Sequence, residues 1–282
     1  MTMGMLAGLL WLIIFAALVL WFVARRGPDL EAEFRSQLAV EKDAETQNGC
    51  LLVTESGIAH LPAPVQRYMR LTGSVGKPRI ATLLLKFDAE MFQTRGQPGM
   101  PGPVEQYERF DPPKRLFFMK ARMYGLPVAV LHDYANTEAT MRVRLASLFN
   151  VVDIGGDEIS RTETVTLLND LCFFAPSWLG DERLEWRAID DVSASVAFTN
   201  GPHKVGATLL FNAAGELVNF VSEDRGALQD DGSLRIVRWS TPMRNYKDFD
   251  GRRYATEGEA IWHYPEGDFV YGKMTLSDIV AH

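Results

Sequence analysis

Three carboxylates in this sequence could move protons: Asp170, Asp224 and Glu259. Brought together in a cleft, such groups would serve a hydrolase as general acid and base. Asp224 is followed directly by Arg225. If Leu217–Arg225 is a strand, Asp224 shares a face with Val218, Phe220 and Ser222, and on a packed face it would need a cationic partner. Arg225 points to the opposite face, which leaves Arg238, Arg252 and Arg253 as partners. The plainer reading of Asp224 is an ion pair that fixes strand register. A second group of residues suits binding. Asn169, Phe173, Trp178, Arg225, Trp239, Tyr246 and Trp262 could line an apolar pocket that carries a few polar groups. Taken singly, each aromatic more often fills a core than touches a ligand.

Familiar catalytic signatures are missing from the sequence: there is no G-x-S-x-G, H-E-x-x-H, P-loop or G-x-G-x-x-G. His60, His132, His203, His263 and His282 are scattered without metal-ligand spacing. Asp248-Phe249-Asp250-Gly251 opens like a calcium loop but lacks the closing Glu, and so reads as a turn. Neither a metal nor another cofactor is expected. A net charge of -7 argues against nucleic acid, whose phosphates need clustered Lys and Arg. Cys50 and Cys172 are too few for a disulfide framework.

The element that must position these groups is a helix from Ser160 to Pro176. Ser160 and Glu163 have capping-box spacing, and Pro176 ends the run. Val165, Leu167, Leu168, Leu171, Cys172 and Phe174 share one half of the cylinder. Thr162, Glu163, Thr166, Asn169 and Asp170 share the other, which either faces water or looks into a cavity with Phe173 and Trp178. A shorter helix is expected over Pro62–Thr72, with prolines near its start and Gly73 past its end, and another from Pro28 to about Asp43. Most of the remainder has a period of two. Strands are expected near Ile80–Asp88, Val104–Phe110, Leu116–Arg122, Pro127–Tyr134 and Thr140–Leu145. After the helix they follow near Leu184–Ile189, Val192–Thr199, Val205–Phe211, Leu217–Glu223, Leu234–Ser240, Ala255–Tyr264 and Phe269–Leu276. Gly96–Pro103 reads as a loop. Gaps this short suit antiparallel hairpins.

Met3 to Ala24 carries no charge. At about 1.5 Å per residue it covers a hydrocarbon core of roughly 30 Å. Trp21 near its end and Arg25-Arg26 beyond it suit a membrane interface, and the arginine pair places the body in the cytoplasm by the positive-inside rule. The absence of a basic n-region and of a small-residue cleavage site argues against a removed signal peptide.

The run Leu168-Asn169-Asp170-Leu171-Cys172-Phe173-Phe174-Ala175-Pro176 precedes Asn219-Phe220-Val221-Ser222-Glu223-Asp224-Arg225, Ser240-Thr241-Pro242 with Tyr246, and Trp262-His263-Tyr264-Pro265-Glu266-Gly267. Together with Leu61-Pro62-Ala63-Pro64 upstream, these blocks resemble a widespread bacterial family of unknown function that usually carries one N-terminal membrane span. The resemblance implies a domain boundary and an anchor, and no mechanism.

The expected fold is α+β: an N-terminal transmembrane helix, then a large curved, half-barrel-like antiparallel sheet packed on the central amphipathic helix. Residues 1–26 would be the anchor, 27–49 a juxtamembrane helix or linker, and 50–282 a single domain. The leading expectation is a single-pass protein of the bacterial inner membrane that holds an apolar or amphipathic ligand, a lipid for example, between sheet and helix. The alternatives are a carboxylate-dependent hydrolase and an envelope scaffold.

Overall fold

The computed structural model describes residues 10–12, 14, 15, 18, 29–44, 51–123, 125–229 and 231–282. The Met3–Ala24 run and Arg25-Arg26 lie mostly outside the described residues; those described within the run are helical and exposed. Among the described residues, no helix is long and apolar enough to cross a membrane.

The period-two segments form strands β1 (Thr82–Met91), β2 (Met100–Phe110), β3 (Pro113–Met123), β4 (Leu126–Ala135), β5 (Glu138–Leu145) and β6 (Phe149–Gly155), followed by β7 (Leu184–Asp190), β8 (Ser193–Asn200), β9 (His203–Phe211) and β10 (Leu217–Ser222). A short ribbon, β11 (Gly226–Leu228) and β12 (Leu234–Ile236), comes next, then the long β13 (Trp239–Phe249), β14 (Arg252–Tyr264) and β15 (Gly267–Ala281). All but the ribbon join one 13-stranded sheet in the order β6-β5-β4-β3-β2-β1-β15-β14-β13-β10-β9-β8-β7. Every pairing is antiparallel.

Helices α1 (Leu30–Ala44), α2 (Glu55–Ile58) and α3 (Ala63–Leu71) precede the sheet, and α4 (Asp157–Phe174) interrupts it. Helix α4 leaves β6 at one edge and delivers the chain to β7 at the other. It packs on β5 and β6 and also on β9 and β10. These strands lie near opposite ends of the sheet order, so the sheet curls around the helix.

Helix α4 starts a turn before Ser160, and the capping box does not form. Gly156 precedes it at φ 100, a conformation that favours glycine. Asp157 and Glu158 occupy the first turn, where negative charge complements the helix dipole. Inside the helix, Ser160 Oγ donates to Gly156 O at 2.7 Å and accepts from Ala139 N at 2.9 Å, which ties α4 to β5. Glu163 is thereby free to turn elsewhere.

Three expectations for the strands also change. The loop expected at Gly96–Pro103 becomes strand from Met100, because a Cβ on Gly102 would lie 1.8 Å from Lys120 O and only glycine allows β2 and β3 to come so close. The expected strand Leu234–Ser240 divides between β12 and β13, since β11 and β12 fold away from the sheet over α4, where Gly226 N donates to Thr162 Oγ1 at 3.1 Å. Strand β6, with its largely exposed residues, has no clear alternation and was not anticipated.

On the convex face, Leu30, Phe34 and Leu38 of α1 pack on Tyr107, Leu116, Phe118 and Leu131, with Phe34 stacked on Phe118 at 5.3 Å. Both faces of β3 are therefore buried at Leu116–Met119. Ion pairs ring this contact: Arg142 Nη1 donates to Glu33 at 2.8 Å, and Arg35 forks onto Glu105.

Candidate functional site

The curl of the sheet leaves a cavity of about 770 Å³ beside α4. Exposed Gln93, Arg235 and Glu266 stand at its rim, so it opens to solvent. Its sheet wall is apolar and unusually soft. Met91, Met100, Met119, Met123, Met141, Met243 and Met274 all line it, seven of the chain's 11 methionines. Phe117, Trp239, Trp262 and Phe269 add aromatic surface. Methionine has a flexible, polarizable side chain that adapts to irregular partners.

The opposite wall is the polar half of α4. Thr162, Glu163, Thr166, Asn169 and Asp170 line the cavity, and all are buried. They are held by groups arriving from the strands. Arg115 of β3 donates from Nε to Asp170 Oδ2 at 2.7 Å and from Nη2 to Gln106 Oε1 at 3.0 Å, while its Nη1 lies 3.7 Å from Glu163 Oε2. Gln106 Nε2 donates to Asp170 Oδ2 at 3.1 Å and to Glu108 Oε1. Asn169 Nδ2 donates to Asp170 Oδ1 at 3.1 Å and its Oδ1 accepts from Thr241 Oγ1 at 2.5 Å. Arg225 donates from Nη1 to Thr166 Oγ1 and from Nη2 to Glu163 Oε1 at 3.5 Å. Its guanidinium lies 4.2 Å from the centre of the Trp239 ring and 5.7 Å from that of Trp262, within reach of a cation–π attraction.

Two carboxyls in this network are pushed in opposite directions. Burial, then repulsion from Asp170, drives Glu108 well above the usual carboxylate range, so it keeps its proton where a free carboxyl has lost it. Burial also pushes Glu163 upward, but the His132 imidazole and the charges of Arg225 and Arg115 outweigh it and hold Glu163 well below that range. Among the described residues, no cluster of His, Cys, Asp and Glu could hold a metal ion.

A family of unknown function (DUF6544) matches residues 52–274, most of the 282-residue chain. The chain belongs to this family. No curated protein matches it. Among solved structures it is similar to a domain provisionally named an outer membrane lipoprotein-sorting protein from Vibrio parahaemolyticus, at 10% identity over 77% of this chain and 92% of that one, with a TM-score of 0.44. A DUF1329 family protein from Desulfovibrio piger is similar at 12% identity over 78% and 93%, with a TM-score of 0.43. A LolA superfamily protein from Nitrosomonas europaea is similar at 10% identity over 77% and 93%, with a TM-score of 0.42.

In this DUF6544 member the cavity collects Asn169, Asp170, Arg225, Trp239, Trp262 and Glu259. It does not collect the remaining residues singled out from the sequence. Phe173 is fully buried against Phe174. Trp178 sits where the chain leaves α4, donating to Ile80 O at 2.5 Å beneath the Arg79 guanidinium. Tyr246 donates to Leu217 O at 2.8 Å and meets Tyr68 edge-on. Asp224 lies past the end of β10, away from the cavity. Its partner is none of Arg238, Arg252 and Arg253 but Arg161 of α4, at 2.7 Å, and its other oxygen accepts from Gly206 N at 2.7 Å. It therefore straps the start of α4 to β9. Asp170, Asp224 and Glu259 do not meet as a set.

The residues that sequence reasoning passed over are Gln106, Glu108 and Arg115; Glu163 was read as part of a helix cap on the polar half, and His132 as one of five scattered histidines. A signal for the first two was present. Gln106 and Glu108 share the buried face of β2 with Val104 and Phe110, two polar residues in a register that is otherwise apolar. Arg115 likewise shares the face of Phe117 and Met119.

Proposed function

We propose that this protein binds an apolar or amphipathic molecule in the α4 cavity while its N-terminal segment tethers it to a membrane. One observation carries the binding reading: a cavity of about 770 Å³, within the roughly 300–1,000 Å³ of small-molecule pockets, is walled by methionine and aromatic side chains. A wall of this kind in a well-packed core would be filled. Left hollow, it suits an occupant with flexible apolar chains. The tether rests on the charge-free Met3–Ala24 run. The arginine pair beyond it supports a body on the cytoplasmic face of a bacterial inner membrane. The corresponding division is an anchor at 1–26, a linker at 27–49 whose helix α1 lies on the sheet, and a body at 50–282. Reporters active on only one side of the membrane, fused after His282, test the sidedness.

The binding reading is tested in native membranes carrying the full chain, with a photoactivatable acyl-chain probe and peptide mapping of the crosslinks. Crosslinks should fall on cavity-facing positions of β3, β4, β14 and β15, and Ala260→Trp should abolish them by filling the space. Crosslinks absent from those strands would refute the reading.

A hydrolytic reading has a different observation in its favour. Ser240 Oγ lies 2.8 Å from His263 Nε2, and His263 Nδ1 lies 2.7 Å from Asp268 Oδ1, the order of a nucleophile, base and orienting acid. The chain of bonds sits on the convex face, because Trp239, Thr241 and Trp262 on either side of it point into the cavity. Ser240, the second residue of β13, is paired with Val221 on one side and Ile261 on the other, so it sits within the sheet ladder and not at a turn or helix N-terminus that could supply oxyanion donors. It is also only 2% exposed. The bonds act as a strut from β13 to the β14–β15 turn. A fluorophosphonate probe should leave Ser240 unlabelled; labelling that Ser240→Ala removes would reinstate the hydrolase.

A further inference from the structure

We infer that the mouth of the cavity rests on the membrane that carries the tether, with Leu126, Phe149, Val151 and Ile236 seated in the bilayer surface, so that an apolar occupant passes between bilayer and cavity without crossing water. The inference rests on the tether and binding readings above and adds the surface that the mouth meets. It holds for either side of the membrane.

The direction of α1 carries it. Leu30, Phe34 and Leu38 fix this helix on the convex face, and its polar contacts show which way it runs. Glu31, near its start, lies 2.5 Å from Lys120 Nζ. Gln37 Oε1 accepts from Lys114 Nζ at 2.8 Å, and Glu41 Oε2 accepts from Arg109 Nη1 at 2.5 Å. Helix α1 is therefore antiparallel to β3 and begins over the end of β3 that leads into β4, where Met123 pairs with Leu126. Ala24, the last residue of the charge-free run, is followed six residues later by Leu30, at most about 20 Å of extended chain. The end of the sheet at Met123 and Leu126 is thus the end nearest the bilayer.

The cavity opens at that same end. The pairing register carries this end across the sheet: Val104 of β2 pairs with Met119, Met100 of β2 with Met91 of β1, Met91 with Gly272 of β15, and Gly267 of β15 with Tyr264 of β14. In the other direction Leu145 of β5 pairs with Phe149 of β6. The rim residues Gln93 and Glu266 lie in the β1–β2 and β14–β15 connections. Arg95 Nη2 donates to Gly267 O at 2.5 Å, which joins those two connections. Leu126, Phe149 and Val151 lie at this end and Ile236 lies next to the rim residue Arg235, all of them 48% to 59% exposed. Apolar side chains gathered around one opening mark a surface that meets something apolar, and a bilayer surface takes such side chains to a shallow depth. The charges nearby are mixed, with Arg95, Arg122 and Arg235 exposed beside Glu266 and Asp268. Apolar contact and the short tether, not charge, therefore hold the mouth in place.

The test uses the full chain in phosphatidylcholine vesicles, with a small fluorophore on one introduced cysteine and a nitroxide near the head of the lipid acyl chain. Cys50→Ser removes the other accessible thiol, and Cys172 is buried. Leu126→Cys, Phe149→Cys and Ile236→Cys report on the mouth. Leu51→Cys is the control: Leu51 is 67% exposed but stands beside the start of β1, where Arg79 N donates to its carbonyl, about 30 Å along the strand from Met91. The nitroxide should quench the three mouth positions roughly threefold or more above Leu51. Equal quenching at all four positions, or stronger quenching at Leu51, overturns the inference. Mouth positions that are unquenched in vesicles yet shielded from water in native membranes would mean that another protein chain, a second copy included, covers the mouth, and overturn it too. Should one mouth variant misfold, the other two decide. Quenching needs no occupant, so the two failures differ: a quenched mouth without acyl crosslinks loses the binding reading and leaves the mouth on the membrane, and crosslinks in a cavity whose mouth is unquenched lose this inference alone.

Discussion

The two sides of α4 are similarly buried and physically unlike. On one side Val165, Leu168 and Cys172 are fully buried in a filled core, where Tyr68 Oη donates to Cys172 O at 3.1 Å and its ring meets Phe211 at 5.7 Å. On the other side Glu163, Thr166 and Asp170 are buried to a similar degree but look onto a hollow of about 770 Å³. The first side is held by close packing and the second by a network of charges. Burial alone therefore does not distinguish a structural surface from a functional one. The discriminating feature is whether the far wall reaches across.

The strongest way to break this comparison is to remove the cation at the centre of the network. Arg115→Ala would leave Asp170 and Glu163 without it, and breaking a buried ion pair costs about 3–5 kcal/mol. A urea midpoint that barely moves would mean that the polar wall contributes nothing to folding. The next effect separates the two sides directly. Leu168→Ala on the packed side should cost about 2–5 kcal/mol, because the core there cannot collapse around the gap. Met274→Ala on the hollow side should cost on the order of 1 kcal/mol or less, since its side chain already borders empty space. Equal losses in paired denaturation curves would mean that the hollow is packed in solution.

The smallest effect concerns pH. Glu108 has a raised folded pKa, so it binds its proton more tightly in the folded than in the unfolded chain. Its contribution is complete below the ordinary carboxylate value and is lost as pH climbs toward the raised one. Glu163 has the opposite sign: its contribution is present above the ordinary value and lost as pH falls. Glu108→Gln should therefore flatten the decline in stability as pH rises above the ordinary carboxylate value, and Glu163→Gln should flatten the decline as pH falls below it. Urea midpoints measured across pH for both variants check the signs. A Glu108→Gln protein with an unchanged decline above the ordinary carboxylate value would mean that Glu108 is ionised in the folded state.

Much of the architecture was legible in local sequence. Alternation in Val192, Ala194, Val196 and Phe198 and the short polar gaps after such runs point to antiparallel hairpins, and the strands lie there. The 3.6-residue period separates the two halves of α4. What was misread depended on partners distant in the chain. Ser160 has the type and spacing of a cap, yet its hydroxyl is committed to Gly156 and Ala139. Asp224 was matched to nearby arginines, whereas Arg161, on α4, is the one that reaches it. Tyr246 and Trp178 are aromatic like Trp239 and Trp262, but they point into packed regions and not into the hollow.

The sequence by itself determined a strand-rich body, one amphipathic helix within it and the residues on each half of that helix, because strand and helix periods are properties of neighbouring residues. Only the tertiary structure decided that the polar half would be enclosed by the sheet and face a cavity. That outcome depends on how far the sheet curls, which brings Arg115 of β3 and Arg225 beyond β10 to the same helix face. Such a meeting is set by the summed twist and register of many strand pairs, and no single stretch of sequence encodes it.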